Sequence, residues 1–336
     1  MTAAKKKNSR RKQARFRSSR RKRIRNTVLL LLLLVVLGGT GIGAIYVLRN
    51  GTVFDKLEEA YVASREFSGG ITDLDSLRAD GFAKNLCVVV SDVPMDGVSL
   101  GENQKGLLLD LDDRKVLYSK QALQKVYPAS ITKIMTVLLA LENCEMDEEV
   151  TFSHNAVYSI DYGSSSIARD EDEVLTVEEC LYAIMLESAN ECANAIAEHI
   201  SGSTEAFADL MNQRAAELGC TNTHFVNPSG LPNEEHYTSA HDMALITRAA
   251  VSHEEFRKIS GTSRYVLRAT NKKSEELLMN NHHYMISGYK TSKYLDDTVF
   301  AGKTGYTEAA LNTLVTCATR NGMDLVVVTM KSQGTA

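Results

Sequence analysis

Hydrophobic and polar positions alternate near both ends of the region that follows the first quarter of the chain, a pattern typical of strands. Residues 106–111 and 115–118 predict a hairpin around an Asp-Asp pair. Residues 311–320 and 323–330 flank Asn321-Gly322, and an Asn-Gly pair between two such runs is a strong signal for a β-hairpin. Two further strands are predicted, at residues 86–91 and 299–305.

The middle of this region has helical periodicity. Residues 130–141 are apolar on nearly every side, which predicts a buried central helix. Amphipathic helices are predicted at residues 176–186, 190–200, 205–218 and 240–251. Strands at both ends with helices between them indicate an α+β fold, arranged as an α/β sandwich. Early and late segments of the chain would form one antiparallel sheet, and the helices between them would form an inserted helical lobe.

The first quarter of the chain has a different pattern. Residues 28–48 are 21 consecutive uncharged residues, and about 20 apolar residues suffice for a helix across a bilayer. Residues 1–26 hold 13 Lys or Arg and no acid, and basic flanks stay cytoplasmic. We therefore expect a basic cytoplasmic tail (1–26), a single transmembrane signal anchor (27–48), an extracytoplasmic spacer (49–82) and a globular domain (83–336). A cleaved signal peptide is the alternative, although the apolar stretch is long for one and no clear small-x-small cleavage site precedes Arg49.

Charge is divided in the same way, because residues 27–336 carry 25 basic and 42 acidic residues. An acidic body does not favour a nucleic-acid partner, and the basic tail has Phe16 as its single aromatic residue. The tail is expected to contact anionic lipid headgroups instead. We expect no nucleic acid among the partners.

Neither the cysteines nor the histidines have the spacing of a metal site. The six cysteines are scattered without a C-x-x-C pair, and there is no H-E-x-x-H, so no metal and no disulfide framework is predicted. The histidines that could be ligands are expected in turns or on the surface: His236, His241, His282 and His283.

Three short motifs supply candidate chemistry: Ser130-x-x-Lys133, Ser188-Ala189-Asn190 and Lys303-Thr304-Gly305. The first two are weak singly, because Ser-x-x-Lys recurs at Ser9, Ser19 and Ser287 and Ser-x-Asn recurs at Ser153. Together they provide a nucleophile, a base, a proton relay and an anion clamp, which is a full set for attack on an amide next to a carboxylate.

In the first motif Ser130 falls in the first turn of the predicted central helix, and Lys133 lies on the same face. An apolar helix removes water from the lysine and favours the neutral amine that acts as a base. A capping serine and a surface lysine explain this motif equally well when it is taken alone.

In the second motif, Ser188 can relay a proton and Asn190 can hold a carbonyl, or either can simply cap a helix. In the third, Gly305 lets another backbone approach the strand. A substrate that pairs with this edge would place its carboxylate at Lys303 and Thr304.

These motifs and their flanks resemble the serine D-alanyl-D-alanine carboxypeptidases, the low-molecular-mass penicillin-binding proteins. The matching segments are residues 127–136, 186–193, 227–232, 236–240 and 302–307, and the resemblance covers residues 83–336. It implies a β-lactamase/D,D-peptidase-like fold at the bacterial plasma membrane. It also implies hydrolysis of a peptidoglycan stem peptide that ends in D-Ala-D-Ala, with no metal or organic cofactor.

The resemblance assigns a role to each motif. Ser130 attacks the penultimate D-Ala carbonyl and Lys133 takes its proton, while the backbone N–H groups of Ser130 and Tyr306 form the oxyanion hole. Ser188 passes a proton to the leaving D-Ala amine, Asn190 holds the peptide, and Lys303 and Thr304 bind the terminal carboxylate. Gly305 and Tyr306 are further substrate-binding residues. β-Lactams are expected to acylate Ser130.

Two departures from the family pattern and three alternatives stay open. The chain ends soon after strand 323–330, so a closing helix and a stalk are expected to be missing, and the polar stretch 288–298 predicts an altered substrate rim. The alternatives are a D,D-endopeptidase, a serine β-lactamase of the same fold and a non-catalytic sensor of wall precursors or β-lactams. A class A β-lactamase needs a deacylating glutamate, and Glu198 and Glu205 fall in helical patterns.

Overall fold

The largest sheet in the computed structural model is antiparallel and is built from both ends of the described chain, which comprises Cys87, Val89 and residues 91–334. Its strand order is β2-β1-β9-β8-β7. Its members are β1 Lys105–Asp110, β2 Lys115–Lys120, β7 Val299–Thr307, β8 Leu311–Arg320 and β9 Met323–Ser332. Both predicted hairpins are present, and β1 pairs with β9 from Lys105 opposite Met330 to Asp110 opposite Leu325. The expectation that early and late segments close one sheet is confirmed.

Helices and two small sheets fill the chain between β2 and β7. The small sheets pair β3 Glu149–Thr151 with β4 Val174–Thr176, and β5 Arg264–Leu267 with β6 Leu277–Asn280. The helices are α1 Lys133–Asn143, α2 His154–Tyr158, α3 Val177–Leu186, α4 Asn190–Ser201, α5 Thr204–Glu217, α6 Ala240–Ala250, α7 Glu254–Gly261 and α8 Tyr284–Ser287. The helical segments predicted from periodicity are therefore confirmed to within a residue or two at most ends.

Local chemistry sets several of the helix ends. Thr176 and Glu179 form a capping box at the start of α3, in which each side chain accepts a hydrogen bond from the other residue's backbone N–H. Ser239 accepts from Asp242 N at the start of α6. Gly202 closes α4 with φ +79°, the left-handed conformation that glycine adopts without strain.

Helix α1 is the centre of the core, as its all-round apolar pattern predicts. Eight successive residues from Lys133 to Ala140 are buried, and α1 packs against α4, α6 and α3. Its burial fixes its first turn against the sheet, because the 3-10 turn Ala129–Thr132 that leads into it lies on β7 and β8. Ser130 lies in that turn, just before the α-helix begins.

The prediction of a strand at residues 86–91 is wrong at the three positions that the structure describes. Cys87 lies in a turn, Val89 has no regular structure and Ser91 lies in a bend. Cys87 and Val89 belong to the core instead, since both are buried. Runs this short do not distinguish a strand from other buried backbone.

The predictions for the tail 1–26, the anchor 27–48 and the spacer 49–82 concern residues outside the described part of the chain. Within the described part, no helix has the length and apolar character needed to span a membrane.

Candidate active site

The three motifs meet at one cleft of about 500 Å³. Ser130, Ser188, Asn190, Thr304, Gly305 and Tyr306 line it. The two lysines lie beneath its floor, with Lys133 0 % and Lys303 1 % exposed. Sequence positions as far apart as 130 and 306 therefore share one surface. From the polar stretch 288–298, Lys290 reaches the rim of this cleft.

The amine of Lys133 is held between three oxygens. Nζ donates to Asn190 Oδ1 at 2.7 Å and to Ser229 O at 2.6 Å, and it lies 3.3 Å from Ser130 Oγ. A neutral amine has two N–H donors, and the two short contacts use both of them. Its lone pair is then directed at the hydroxyl of Ser130, which is the geometry of a base beside its nucleophile.

The surroundings of Lys133 favour this neutral form. Complete burial, followed by the positive charge of Lys303, lowers the pKa of Lys133 well below its ordinary value. The Glu191 carboxylate and the Cys192 thiol act in the opposite direction. The removal of water dominates because the side chain is entirely enclosed.

Ser188 and Lys303 form a second pair across the cleft. Ser188 lies between α3 and α4 with φ +60°, and Lys303 Nζ donates to its Oγ at 3.1 Å and to Thr304 O at 3.0 Å. Burial lowers the pKa of Lys303 to about 7, and the Glu187 carboxylate opposes this shift. An anion bound beside Lys303 would favour its charged form, because opposite charges stabilise each other in an enclosed site.

Gly305 brings β7 against the turn that holds Ser130. A Cβ at Gly305 would lie 2.8 Å from Ser130 N, so only glycine allows the two backbones this approach. Thr313 Oγ1 on β8 donates to Pro128 O at 2.8 Å and fastens the same turn to the sheet. The close backbone approach predicted at Gly305 is present.

Sequence comparison places this cleft in a known family. Residues 101–334 match the model of peptidase family S11, D-alanyl-D-alanine carboxypeptidase. The chain belongs to this family. The resemblance drawn from the three motifs is thereby confirmed.

Individual relatives agree with the family match. The D-alanyl-D-alanine carboxypeptidase DacF of Bacillus subtilis (strain 168) is 37% identical over 232 residues, which are 68% of this chain and 57% of the relative. The chain thus spans little more than half the length of that protein. A D-alanyl-D-alanine endopeptidase of Escherichia coli (strain K12) is 28% identical and is matched over 68% of this chain and 71% of its own length.

Solved structures share the fold. The D-alanyl-D-alanine carboxypeptidase of Mycobacterium tuberculosis H37Rv superposes with a TM-score of 0.64 at 26% identity, over 73% of this chain and 89% of that one. The S11 chain described here therefore has the α+β penicillin-binding-protein fold with an antiparallel sheet, as its element pattern predicts.

The buried histidines of this S11 chain were not anticipated. His236 is 1 % exposed; its Nδ1 accepts from Val226 N, so Nε2 carries the proton and donates to Thr132 Oγ1 at 2.9 Å. Burial lowers the pKa of His236 to about 3, which keeps the ring neutral. A surface position is wrong for His236, His241 and His283, which are all buried, although His236 does close a turn by donating its backbone N–H to Asn233 O. His282 is partly exposed and pairs with Glu187.

Glu191 was also missed by the sequence-based interpretation of this S11 cleft. Its side chain is buried, and Oε1 accepts from Ser166 Oγ at 2.8 Å and from Ile167 N at 2.6 Å, while Oε2 has no hydrogen-bond partner among the described residues. A backbone hydrogen bond from Asn190 N to Ser165 O, at 2.9 Å, holds the same loop. Glu191 thus fastens the loop whose tip forms one wall of the cleft. Its position immediately after Asn190 is the one sequence signal that could have drawn attention to it.

The turn at residues 227–232 supplies a further component of the S11 cleft. Asn227 Oδ1 accepts from Gly230 N at 2.7 Å, and this turn presents the Ser229 carbonyl to Lys133. Gly230 has φ +85°, and a Cβ there would overlap Ala129 O, directly before the nucleophile. Ala129 itself has φ +52°, a strained conformation for a residue that is not glycine.

Replacing Gly230 by alanine is expected to destabilise the protein by about 3 kcal/mol, because left-handed strain and overlap with backbone add together. Gly219→Ala is the matched control, since Gly219 has φ +84° but open space where the Cβ would lie. It should cost about 1 kcal/mol, the backbone strain alone. Urea unfolding of both variants measures the difference, and equal losses would show that the contact with Ala129 is unimportant.

Proposed function

We propose that this chain is a serine D,D-carboxypeptidase that removes the terminal D-Ala from peptidoglycan stem pentapeptides through an acyl-enzyme on Ser130. The observation that carries the proposal is the position of Lys133 Nζ, 3.3 Å from Ser130 Oγ and held by short hydrogen bonds to Asn190 Oδ1 and Ser229 O. In a neutral amine those two bonds use both N–H donors and leave the lone pair for the serine hydroxyl. Family membership supports the substrate class.

In the acylation step, Ser130 Oγ forms a bond to the carbonyl carbon of the penultimate D-Ala as its proton passes to Lys133 Nζ. The backbone N–H groups of Ser130 and Tyr306 would stabilise the negative oxygen, a contribution that is usually among the largest in acyl transfer. The close approach of Gly305 to Ser130 N supports this assignment, because it brings β7 beside that donor.

Collapse of the tetrahedral intermediate breaks the amide bond, and the departing D-Ala amine needs a proton. Ser188 Oγ, with Lys303 beside it at 3.1 Å, would deliver a proton to the amine. The proton that Lys133 took from Ser130 would replace it, so that Lys133 is a neutral base again. Lys303 and Thr304 would bind the terminal carboxylate, and Asn190 would hold the peptide. Water then attacks the ester with Lys133 as base, which releases the shortened peptide and restores Ser130. A β-lactam would acylate Ser130 in the same way.

The competing activities have less support. Glu198 lies on α4 and binds Ser153 and Asn155, and Glu205 lies in the first turn of α5. Neither lines the cleft, so a β-lactamase would lack a deacylating carboxylate there. A non-catalytic sensor would not need a complete set of nucleophile, base and relay.

We further propose that residues 27–48 hold the protein in the bacterial plasma membrane with the cleft outside and residues 1–26 in the cytoplasm. The uncharged stretch and its basic flank support this orientation. Protease added to spheroplasts should digest the part of the chain after the anchor and leave residues 1–48 protected. Full protection of residues 49–336 would contradict the proposal.

Mass spectrometry of the full chain tests the activity directly. We expect a stem pentapeptide to lose one alanine, and penicillin to leave a long-lived adduct on the peptide that contains Ser130. Cleavage of purified cross-linked dimers in preference to pentapeptide would favour an endopeptidase, and loss of the adduct within seconds would favour a β-lactamase. Binding of pentapeptide without formation of any product would favour the non-catalytic sensor.

Replacing Glu191 by glutamine is expected to shift the acid limb of the pH profile of kcat/KM for acylation to lower pH. Glutamine keeps the acceptor for Ser166 and Ile167 but removes a charge that raises the pKa of Lys133. Without this charge the neutral amine persists to lower pH, although burial, Lys303 and Cys192 still act on it.

Glu187→Gln is the matched control, because that carboxylate raises the pKa of Lys303. Its removal should shift the basic limb to lower pH, since Lys303 must be protonated to bind a carboxylate. The acid limb should stay in place. An unchanged acid limb in the Glu191 variant would show that Lys133 does not sense this charge.

A further inference from the structure

Three side chains of metal-binding type meet at the end of α1 that lies away from the cleft. Cys144 caps the C-terminus of α1, Glu148 follows in the next turn and His199 lies in the last turn of α4. One ligand atom from each lies within 4.8 Å of the other two. Their separation in sequence explains why the cysteine spacing gave no sign of a metal site.

Local hydrogen bonds hold the carboxylate ready for a ligand. Glu148 Oε1 accepts from Glu145 N at 2.7 Å, and this contact orients Oε2 toward His199 Nε2 at 2.9 Å. Cys144 N is bonded to Ala140 O, which fixes the backbone that carries the thiol. Within the described residues the half-buried thiol has no hydrogen-bond partner, although it adjoins an imidazole and a carboxylate.

We propose that Cys144, Glu148 and His199 bind a zinc ion, with water as the fourth ligand. Sulfur, imidazole nitrogen and carboxylate oxygen are the donors that zinc takes, and tetrahedral geometry needs donors about 3.3 to 3.6 Å apart. To reach that range, the 2.9 Å separation of Glu148 Oε2 and His199 Nε2 would have to widen slightly, while the other separations already lie within 4.8 Å. Binding would release the thiol proton to solvent, and hard cations such as Mg²⁺ would be poor competitors because they avoid sulfur.

Zinc at this site would stabilise the cleft from the opposite ends of α1 and α4. Helices α1 and α4 both begin at the cleft, with Lys133 and Asn190 as their first residues, and Lys133 binds Asn190 there. At 1.5 Å per residue, the ion would lie about 16 Å from that contact. A metal bound at the C-terminal ends would therefore fix the second point of contact between the two helices and stabilise their packing.

Zinc titration of the purified, chelator-stripped full chain tests the proposal without reference to activity. We expect one equivalent to bind in competition with a chromophoric chelator, and Co²⁺ to give a thiolate-to-metal charge-transfer band. With zinc at 100 times its dissociation constant, the melting temperature should rise by about 5 °C.

Cys144→Ser and His199→Gln should each weaken zinc binding by about 100-fold, and Cys144→Ser should remove the charge-transfer band. His154→Gln is the matched control, because His154 pairs with Glu171 at 2.8 Å without a third donor beside it in the described chain. It should bind zinc like the parent. Equal zinc affinity in the parent and Cys144→Ser, or a parent Co²⁺ complex without the thiolate band, would overturn the site.

Discussion

Replacing Ser130 by alanine is expected to abolish covalent labelling by a fluorescent penicillin and release of D-alanine from a pentapeptide. The variant keeps the cleft but lacks the oxygen that forms the acyl bond, and loss of a catalytic serine costs about 10⁶-fold in comparable hydrolases. The fold should survive, because within the described chain the Ser130 hydroxyl makes one hydrogen-bond contact, with Lys133 Nζ, and its removal breaks no other. Labelling measured by gel fluorescence, with melting temperature as the folding check, gives the result.

Ser287→Ala is the matched control for this experiment. Ser287 and Lys290 repeat the Ser-x-x-Lys pattern, but Ser287 lies in α8 and its Oγ accepts from Tyr289 N. The control should be labelled at the parent's rate. Persistent labelling of Ser130→Ala, or loss of labelling in Ser287→Ala, would place the nucleophile elsewhere.

The strands of the five-stranded sheet could be predicted because their signals are local. In the turn between β8 and β9, Asn321 and Gly322 have φ values of +52° and +79°, which is the conformation that makes an Asn-Gly pair favourable in a hairpin. The pairing of β1 with β9 joins distant segments, and the order of the elements predicts the shared sheet but not which strands pair. Architecture therefore followed from the order of elements.

Burial of polar groups could not be predicted in the same way, because it depends on partners far along the chain. His236 meets Thr132 across 104 positions, and Lys303 meets Ser188 across 115. Each side chain taken alone suits an exposed turn or strand end. The pairing becomes evident only when α1, the turn at 227–232 and β7 are packed together.

Backbone strain at the cleft is likewise absent from the sequence pattern. Ala129 and Ser188 both have positive φ, although neither is the glycine or asparagine that such positions usually contain. Ala129 precedes Ser130, the proposed nucleophile, and Ser188 is the proposed relay. Surrounding contacts must hold these conformations in place, which is why the strain coincides with the residues that need an exact position.

Replacing Lys133 by methionine is expected to slow acylation of Ser130 by about 10⁴-fold, the upper range for removal of a general base. Methionine has a similar length and is apolar, so it suits a position that is fully buried. It offers no lone pair of comparable basicity to the serine proton. Rapid-quench measurement of adduct formation at pH 7 gives the rate, and a rate equal to the parent's would remove Lys133 from the mechanism.

Thermal stability separates this catalytic role from a structural one. The pKa of Lys133 is lowered in the folded protein by burial and by Lys303, whereas an unfolded lysine titrates near 10.4. At pH 7 the unfolded state therefore binds more protons, so Lys133 destabilises the fold until the pH approaches 10.4. Methionine removes that cost but leaves Asn190 Oδ1 and Ser229 O without a donor. These effects oppose each other, so the melting temperature should change by less than about 4 °C. A large fall in melting temperature together with loss of activity would instead make Lys133 a structural residue.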